Sequence, residues 1–270
     1  MVRCSMLLSS LMTLFSFSAD EARSEVDKLA AVDVAIVLAV DVSGSVDGDE
    51  LALQRGGHAL ALRHRDFIRA VGAGWNGRVA LSYFEWSGRV FAGSVTPWRV
   101  IDGPDSAENM AAEIVALPMH SDHATSISRA LDYAVMLFNV LPVTAERHII
   151  DISGDGVNNM GAPVSESRDR AVAQGVTING LPLIVRPEAW GRSIENYFAE
   201  CVIGGQGAFL LPARGHEELS QAIRRKLILE ISGAGGPARL SPAGGPPPDC
   251  RINHRGSGVT GTAKLRRLED

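Results

Sequence analysis

Three cysteines in 270 residues are too few for a disulfide framework, so an ordinary apolar core must hold the fold. The chain has no dense Lys/Arg stripe, and its net charge of -5 argues against a nucleic-acid partner. The basic run Lys264-Leu-Arg-Arg267 is short and precedes Glu269 and Asp270, so it reads as a solvated tail. No Gly-x-Ser-x-Gly elbow and no Gly-x-x-x-x-Gly-Lys phosphate loop occur, and the seven histidines form no His-Glu-x-x-His pair. Each absence removes a common hydrolase or nucleotide-binding class. No internal repeat is visible. The uncharged stretch 4–17 is too short, at about 14 residues, to span a bilayer as a stable helix.

That stretch has the form of an export signal instead. Arg3 supplies positive charge, Leu7, Leu8, Leu11, Leu14, Phe15 and Phe17 supply the apolar segment, and Ser16-Phe-Ser18 offers small residues at cleavage-site spacing. The expectation is a signal over 1–19, whose removal leaves no stable membrane span and a protein in the periplasm or outside the cell. Cys4 leaves with the signal. Cys201 and Cys250 could then pair in an oxidising compartment. Two cysteines do not make a framework, however, and the favoured expectation is a buried free thiol at Cys201 and an unrelated Cys250 in the tail.

Apolar content of 46% and charge content of 21% are ordinary for a globular protein. Residues 34–40 form a continuous apolar run, as in a strand covered on both faces. A long helix is predicted over 50–71, with Gly56-Gly57 allowing close approach to the sheet. Residues 78–85 read as a second strand, with 88–92 as a short partner across a turn. A short helix follows at 107–116. Ile127, Ala130, Leu131, Ala134, Val135 and Phe138 then give the clearest helical period in the chain. Thr125 stands where that helix begins, a position that favours hydroxyls. Strand 147–153, helix 164–174, strand 176–185, a short strand 208–211 and a last helix 217–231 complete the pattern. Strands alternating with helices predict an α/β fold, a doubly wound, mostly parallel sheet with helices on both faces. The domain is expected over 32–231. The Gly/Ala/Pro-dominated stretch from 233 begins a disordered tail, taken as 232–270.

The oxygen-bearing side chains fall at the ends of these elements. Asp41-Val-Ser43-Gly-Ser45 follows the first apolar run, Thr125 opens the periodic helix, and Asp155 follows the third strand. Open parallel sheets bind ligands beyond the carboxyl ends of their strands. If the two strands are neighbours, Asp41 and Asp155 reach one crevice and Thr125 shares its rim. Two carboxylates balance a divalent cation, and the hydroxyls of Ser43, Ser45 and Thr125 add neutral oxygens. With no thiolate or imidazole, the set disfavours zinc and copper and suits Mg²⁺, Mn²⁺ or Ca²⁺. A coordination position left open would suit a carboxylate from a protein partner. Taken alone, Asp-x-Ser-x-Ser is also compatible with the approach to a helix capped by Asp47.

Asp-x-Ser-x-Ser after the first strand, a later Thr and a later Asp-Gly after a strand resemble the metal-ion-dependent adhesion site of von Willebrand factor type A (vWA) domains. The resemblance covers roughly residues 32 to 231. Val40-Asp-Val-Ser-Gly-Ser-Val-Asp47, Ile152-Ser-Gly-Asp-Gly-Val-Asn-Asn159, Ile178-Asn-Gly-Leu-Pro182 and Cys201-Val-Ile-Gly-Gly205 are closer still to a bacterial subfamily, the DUF1194 group. The resemblance implies that Asp41, Ser43 and Ser45 are first-loop ligands, Thr125 the second-loop ligand and Asp155 the third-loop ligand. It also implies a cation-dependent protein-binding module rather than an enzyme. One departure is visible: Asp122-His123-Ala124 precede Thr125 where the family more often has glycines, which bears on how closely that loop approaches the ion.

A metal-dependent hydrolase of phosphate esters is the alternative of another class. A haloacid-dehalogenase-type phosphatase needs a second Asp two residues after the nucleophile, and position 43 is Ser. His123 lies near the proposed site and reads first as an exposed loop residue. Asp151 reads as an inward polar residue of its strand or a partner behind the ligands, and Asn158 and Asn159 as loop-shaping residues. Trp75, Trp86, Trp98 and Trp190 read as core or rim packing, with Trp86 and Trp98 as candidates for a binding face.

Overall fold

The computed structural model describes residues 31–43, 48–120, 122–184, 193–234 and 249–251. The expected signal over 1–19, Ser45, Trp190 and most of the expected tail lie outside the described residues. A five-stranded sheet runs in the order Arg99–Ile101, Val79–Trp86, Val34–Asp41, His148–Gly154, Val176–Pro182. Its strands are β2 (Val34–Asp41), β3 (Val79–Trp86), β4 (Arg99–Ile101), β6 (His148–Gly154) and β7 (Val176–Pro182), and β4 alone is antiparallel to its neighbour. A separate parallel pair joins β1 (Ala31–Val32) to β5 (Thr144–Ala145).

Every residue of β2 is buried, because both faces of the central strand are covered. Val34, Ile36, Leu38 and Val40 meet a core shared with α1 (Gly48–Arg63), α2 (Arg65–Gly72), α3 (Pro104–Val115) and α7 (His216–Ser232). Val37 and Ala39 face the opposite core, built with α4 (Ile127–Phe138), α5 (Val164–Ala173) and α6 (Ser193–Tyr197). This alternation is the period of two expected of a strand between two helical layers. The doubly wound α/β architecture is thus present.

Several local expectations change. The helix expected over 50–71 is two helices that part at His64, whose Nδ1 accepts from Asp66 N (3.1 Å) and caps α2. Gly57 serves the approach of α7 rather than of the sheet: a Cβ there would lie 2.8 Å from Ile223 Cδ1. The partner expected over 88–92 shrinks to a single bridge between Trp86 and Val90, and β4 takes its place beside β3. The strand expected over 208–211 is likewise reduced to a bridge between Gly180 and Leu210. No element was expected where α6 and the wide helical turn Phe198–Val202 occur. That turn presents Cys201 to residues 249–251, and Cys201 and Cys250 form a disulfide with Cα atoms 5.3 Å apart. The expectation of a free thiol is therefore corrected.

A charged cluster is buried between the sheet and α7. Lys226 Nζ lies 2.7 Å from Asp151 Oδ1 and donates to Glu230 Oε1 at 2.6 Å. Asn179 Nδ2 adds a second bond to Glu230 Oε1 (2.9 Å). One cation faces two carboxylates here, and burial followed by the nearby Asp151 charge pushes the Glu230 carboxyl up to about 8. Asp151 pairs in register with Leu38, three residues before Asp41, so its role is structural.

Candidate metal centre

β2 and β6 are neighbours, so Asp41 and the loop after Gly154 leave the sheet at the same edge. Gly154 shows how closely: a Cβ on it would lie 2.9 Å from Asp41 Oδ2. Gly156 does the same for the second loop, since its Cβ would meet Thr125 Oγ1 at 3.6 Å and Cγ2 at 3.7 Å. Asp155 stands between these two glycines. Asp41, Thr125 and the backbone of Asp155 therefore meet in one place. At Gly154 a side chain would force the Asp41 carboxylate to shift, whereas at Gly156 a Cβ would rest in ordinary contact with Thr125.

The first loop is shaped locally. Ser43 N donates to Asp41 Oδ1 (2.8 Å), an Asx-type turn that follows from Asp placed two residues before Ser. Ser43 also bridges in parallel to Asp122, which ties the first loop to the second. The residues Asp122-His123-Ala124 thus do not hold the second loop away. Asp41 is 0% exposed, Ser43 1% and Thr125 6%, and Asp155 is half-buried. Ser45 falls outside the described residues.

The second loop is fastened to the third by side-chain amides. Thr125 N donates to Asn159 Oδ1 (2.9 Å), and Asn159 N and Met160 N both donate to Thr125 O (2.9 and 3.2 Å). Asn158 Oδ1 accepts from Ser128 N (3.1 Å) in the first turn of α4, and Asn158 N donates to the Tyr197 hydroxyl (3.2 Å). Thr125 was expected to begin α4; Ser126 holds the capping position, without a side-chain cap bond, and the amide of Asn158 does the capping work from another loop. This leaves the Thr125 side chain outside the helix's own hydrogen bonding. Ser126 N also donates to Ser87 O (2.8 Å), which fixes the same loop to the end of β3.

The donor set fits a hard cation. Ser43 Oγ is buried with no hydrogen-bond partner, and the buried hydroxyls of Ser87 and Ser153, which follow or end the flanking strands, are in the same condition. Buried oxygens without a donor are costly unless something electropositive meets them. Among the described residues no three His, Cys, Asp or Glu side chains cluster at metal-binding spacing. A cation at this rim would therefore draw on hydroxyls and water as well as carboxylates.

Around the rim, His123 is exposed and Asp122 Oδ2 lies 3.9 Å from Arg89 Nε. Trp86, a candidate for a binding face, is fully buried in the core, and Trp98 is tied inward by Nε1 donating to Leu137 O (2.9 Å). Trp86 therefore presents no binding surface, and Trp98 is half-buried. No helix among the described residues is long and apolar enough to cross a membrane.

Comparison with known proteins agrees with the fold. Residues 31–235 match the family described as "Protein of unknown function (DUF1194)". No curated protein matches. Among solved structures, proximal thread matrix protein 1 of the mussel byssus is 16% identical with a TM-score of 0.56, over 75% of this chain and 49% of that one. A further structure of that protein is described as having a zinc-occupied MIDAS motif (14% identity, TM-score 0.54, 75% and 46% covered). A von Willebrand factor type A protein from Catenulispora acidiphila is 13% identical with a TM-score of 0.52, over 74% and 43%. The vWF domain of the type V pili tip protein Mfa5 from Porphyromonas gingivalis is 10% identical with a TM-score of 0.54, over 78% and 98%. The chain spans about half the length of the byssus protein, and similarity at this level carries the fold alone.

Proposed function

The chain belongs to the DUF1194 family and has a von Willebrand factor type A fold, and we propose that it is a divalent-cation-dependent protein-binding module acting in the periplasm or outside the cell. Asp41, Ser43, Thr125 and Asp155, with Ser45 from the first loop, would hold Mg²⁺, Mn²⁺ or Ca²⁺. Two carboxylates balance the ion's charge and the hydroxyls fill neutral positions. The bound ion supplies a Lewis-acidic position for a carboxylate of a partner protein. The observation that supports this reading is the approach of Gly154 to Asp41 and of Gly156 to Thr125, by which three distant stretches of chain meet at one rim.

Two further features support it. The Cys201–Cys250 disulfide suits an oxidising compartment, and it agrees with the export signal expected from the first residues. Among the described residues of the rim, His123 is exposed and Ser153 is buried without a hydrogen-bond partner, so neither forms a nucleophile–base pair with the other. The byssus protein described with zinc places zinc among the ions to be tested.

The test is calorimetric titration with Mg²⁺, Mn²⁺, Ca²⁺ and Zn²⁺. The expected result is one site per chain, lost in Asp41→Ala; affinity unchanged by that substitution would defeat the assignment. A panel of generic phosphoesters addresses the hydrolase alternative, for which metal-dependent turnover abolished by Asp41→Ala would be the signature.

A further inference from the structure

We propose that the partner presents at least two carboxylates, and that Arg89 and Arg129 bind the second one beside the metal position. This deepens the reading above and rests on it. Gly88 is the point on which the two arginines converge. A Cβ on Gly88 would lie 2.7 Å from Ala124 Cβ and 3.2 Å from Met160 Sδ, so its backbone is pressed against both the second and third loops. Arg129, on the exposed side of α4, donates from Nη1 to Gly88 O (2.7 Å). That bond fixes the guanidinium at the rim and leaves other N–H groups of the same fork to meet a ligand.

Arg89 follows Gly88 directly. Its side chain is 71% exposed, and its guanidinium carbon lies 5.2 Å from the centre of the Phe91 ring. The Asp122 carboxylate lies 3.9 Å from Nε, beyond hydrogen-bond length. Arg89 is thus placed but not consumed. Among the described residues, the carboxylates of Asp41, Asp122 and Asp155 share this rim with two guanidiniums. A bound divalent ion would tip the local balance positive, and a second acidic group on the partner would restore it. Arg presents a planar fork that a carboxylate can meet with two parallel hydrogen bonds. Met160, 42% exposed beside Arg129, offers an apolar contact suited to a peptide side chain.

The test uses end-blocked synthetic peptides in a Gly/Ser background, with one Asp or with two Asp separated by varied spacing, measured by surface plasmon resonance in saturating Mg²⁺ or Mn²⁺. The best two-acid peptide should bind about tenfold tighter than the one-acid peptide, roughly the worth of one added charge-assisted hydrogen bond. Arg89→Ala and Arg129→Gln should each erode that preference, and Arg89→Glu should abolish it, while calorimetry shows that each variant still binds one metal ion and fixes the concentration that saturates it. Metal binding with equal affinity for both peptides, or a preference untouched by the arginine substitutions, overturns this inference alone. Absence of metal binding overturns the underlying reading as well. Tighter binding of polygalacturonate than of any peptide would overturn the assignment to a peptide partner.

Discussion

Replacing Glu230 by Gln should make the protein less sensitive to alkaline pH. In the folded protein Glu230 is buried with Lys226 and Asp151, and its carboxyl is pushed up to about 8 from an ordinary 4.5. A carboxyl raised in this way holds its proton more tightly folded than unfolded. Its stabilising effect is complete below about 4.5 and is lost as pH rises through about 8. Within that window one such group costs at most about 1.4 kcal/mol per pH unit, or about 2–3 kcal/mol between roughly pH 5.5 and pH 7.5. Gln keeps an oxygen that can accept from Lys226 Nζ and Asn179 Nδ2, as Glu230 Oε1 does, and it cannot ionise. Urea unfolding of both proteins across this range gives the difference directly. Buried His58 and half-buried His148, whose imidazoles burial holds below the usual range, titrate in both proteins and cancel in the comparison. Parent and variant should agree within about 1 kcal/mol near pH 5, with the variant gaining steadily above that. Parallel stability curves would refute the assignment of an uncompensated acid to this cluster.

Other consequences are open to measurement. Cys250→Ser should lower stability by about 4 kcal/mol, the loop-closure term for a crosslink separated by 49 residues, and reductant should then have no further effect on the variant. Gly57→Val should cost about 1–3 kcal/mol by driving α1 from α7, whereas Gly56→Ala, which meets nothing within 4 Å, should stabilise α1 by about 0.5–1 kcal/mol. Thermal unfolding of the two variants separates these signs. Asn158→Ala removes the acceptor of Ser128 N, and about 1 kcal/mol of stability should go with it; metal affinity measured by calorimetry should fall too, because the Thr125 loop loses part of its tether.

The elements that place the candidate site were legible because their burial is uniform. Residues 34–40 are apolar throughout since both faces are covered, and the period from Ile127 to Phe138 marks one buried face. What escaped the sequence depends on distant partners. Arg99–Ile101 has two exposed residues of three, so no alternation could announce it. The disulfide joins residues 49 positions apart, and pairing at that range is not written in local pattern. Lys226 did leave a signal: it stands three and four residues after Ile223 and Ala222, on the apolar face of α7, with Glu230 four further on. At the rim, Asp41, Thr125 and Asp155 were named from their places at element ends. The roles of Gly154, Gly156, Asn158 and Asn159 needed the packing of one loop on another.

The most direct measurement is diffraction from Mn²⁺-soaked crystals, recorded for the anomalous signal of manganese. A single strong peak is expected within bonding distance of Asp41, Ser43, Thr125 or Asp155 oxygens, directly or through one water. A protein that takes up manganese only elsewhere, with those four side chains bonded among themselves, would contradict that expectation.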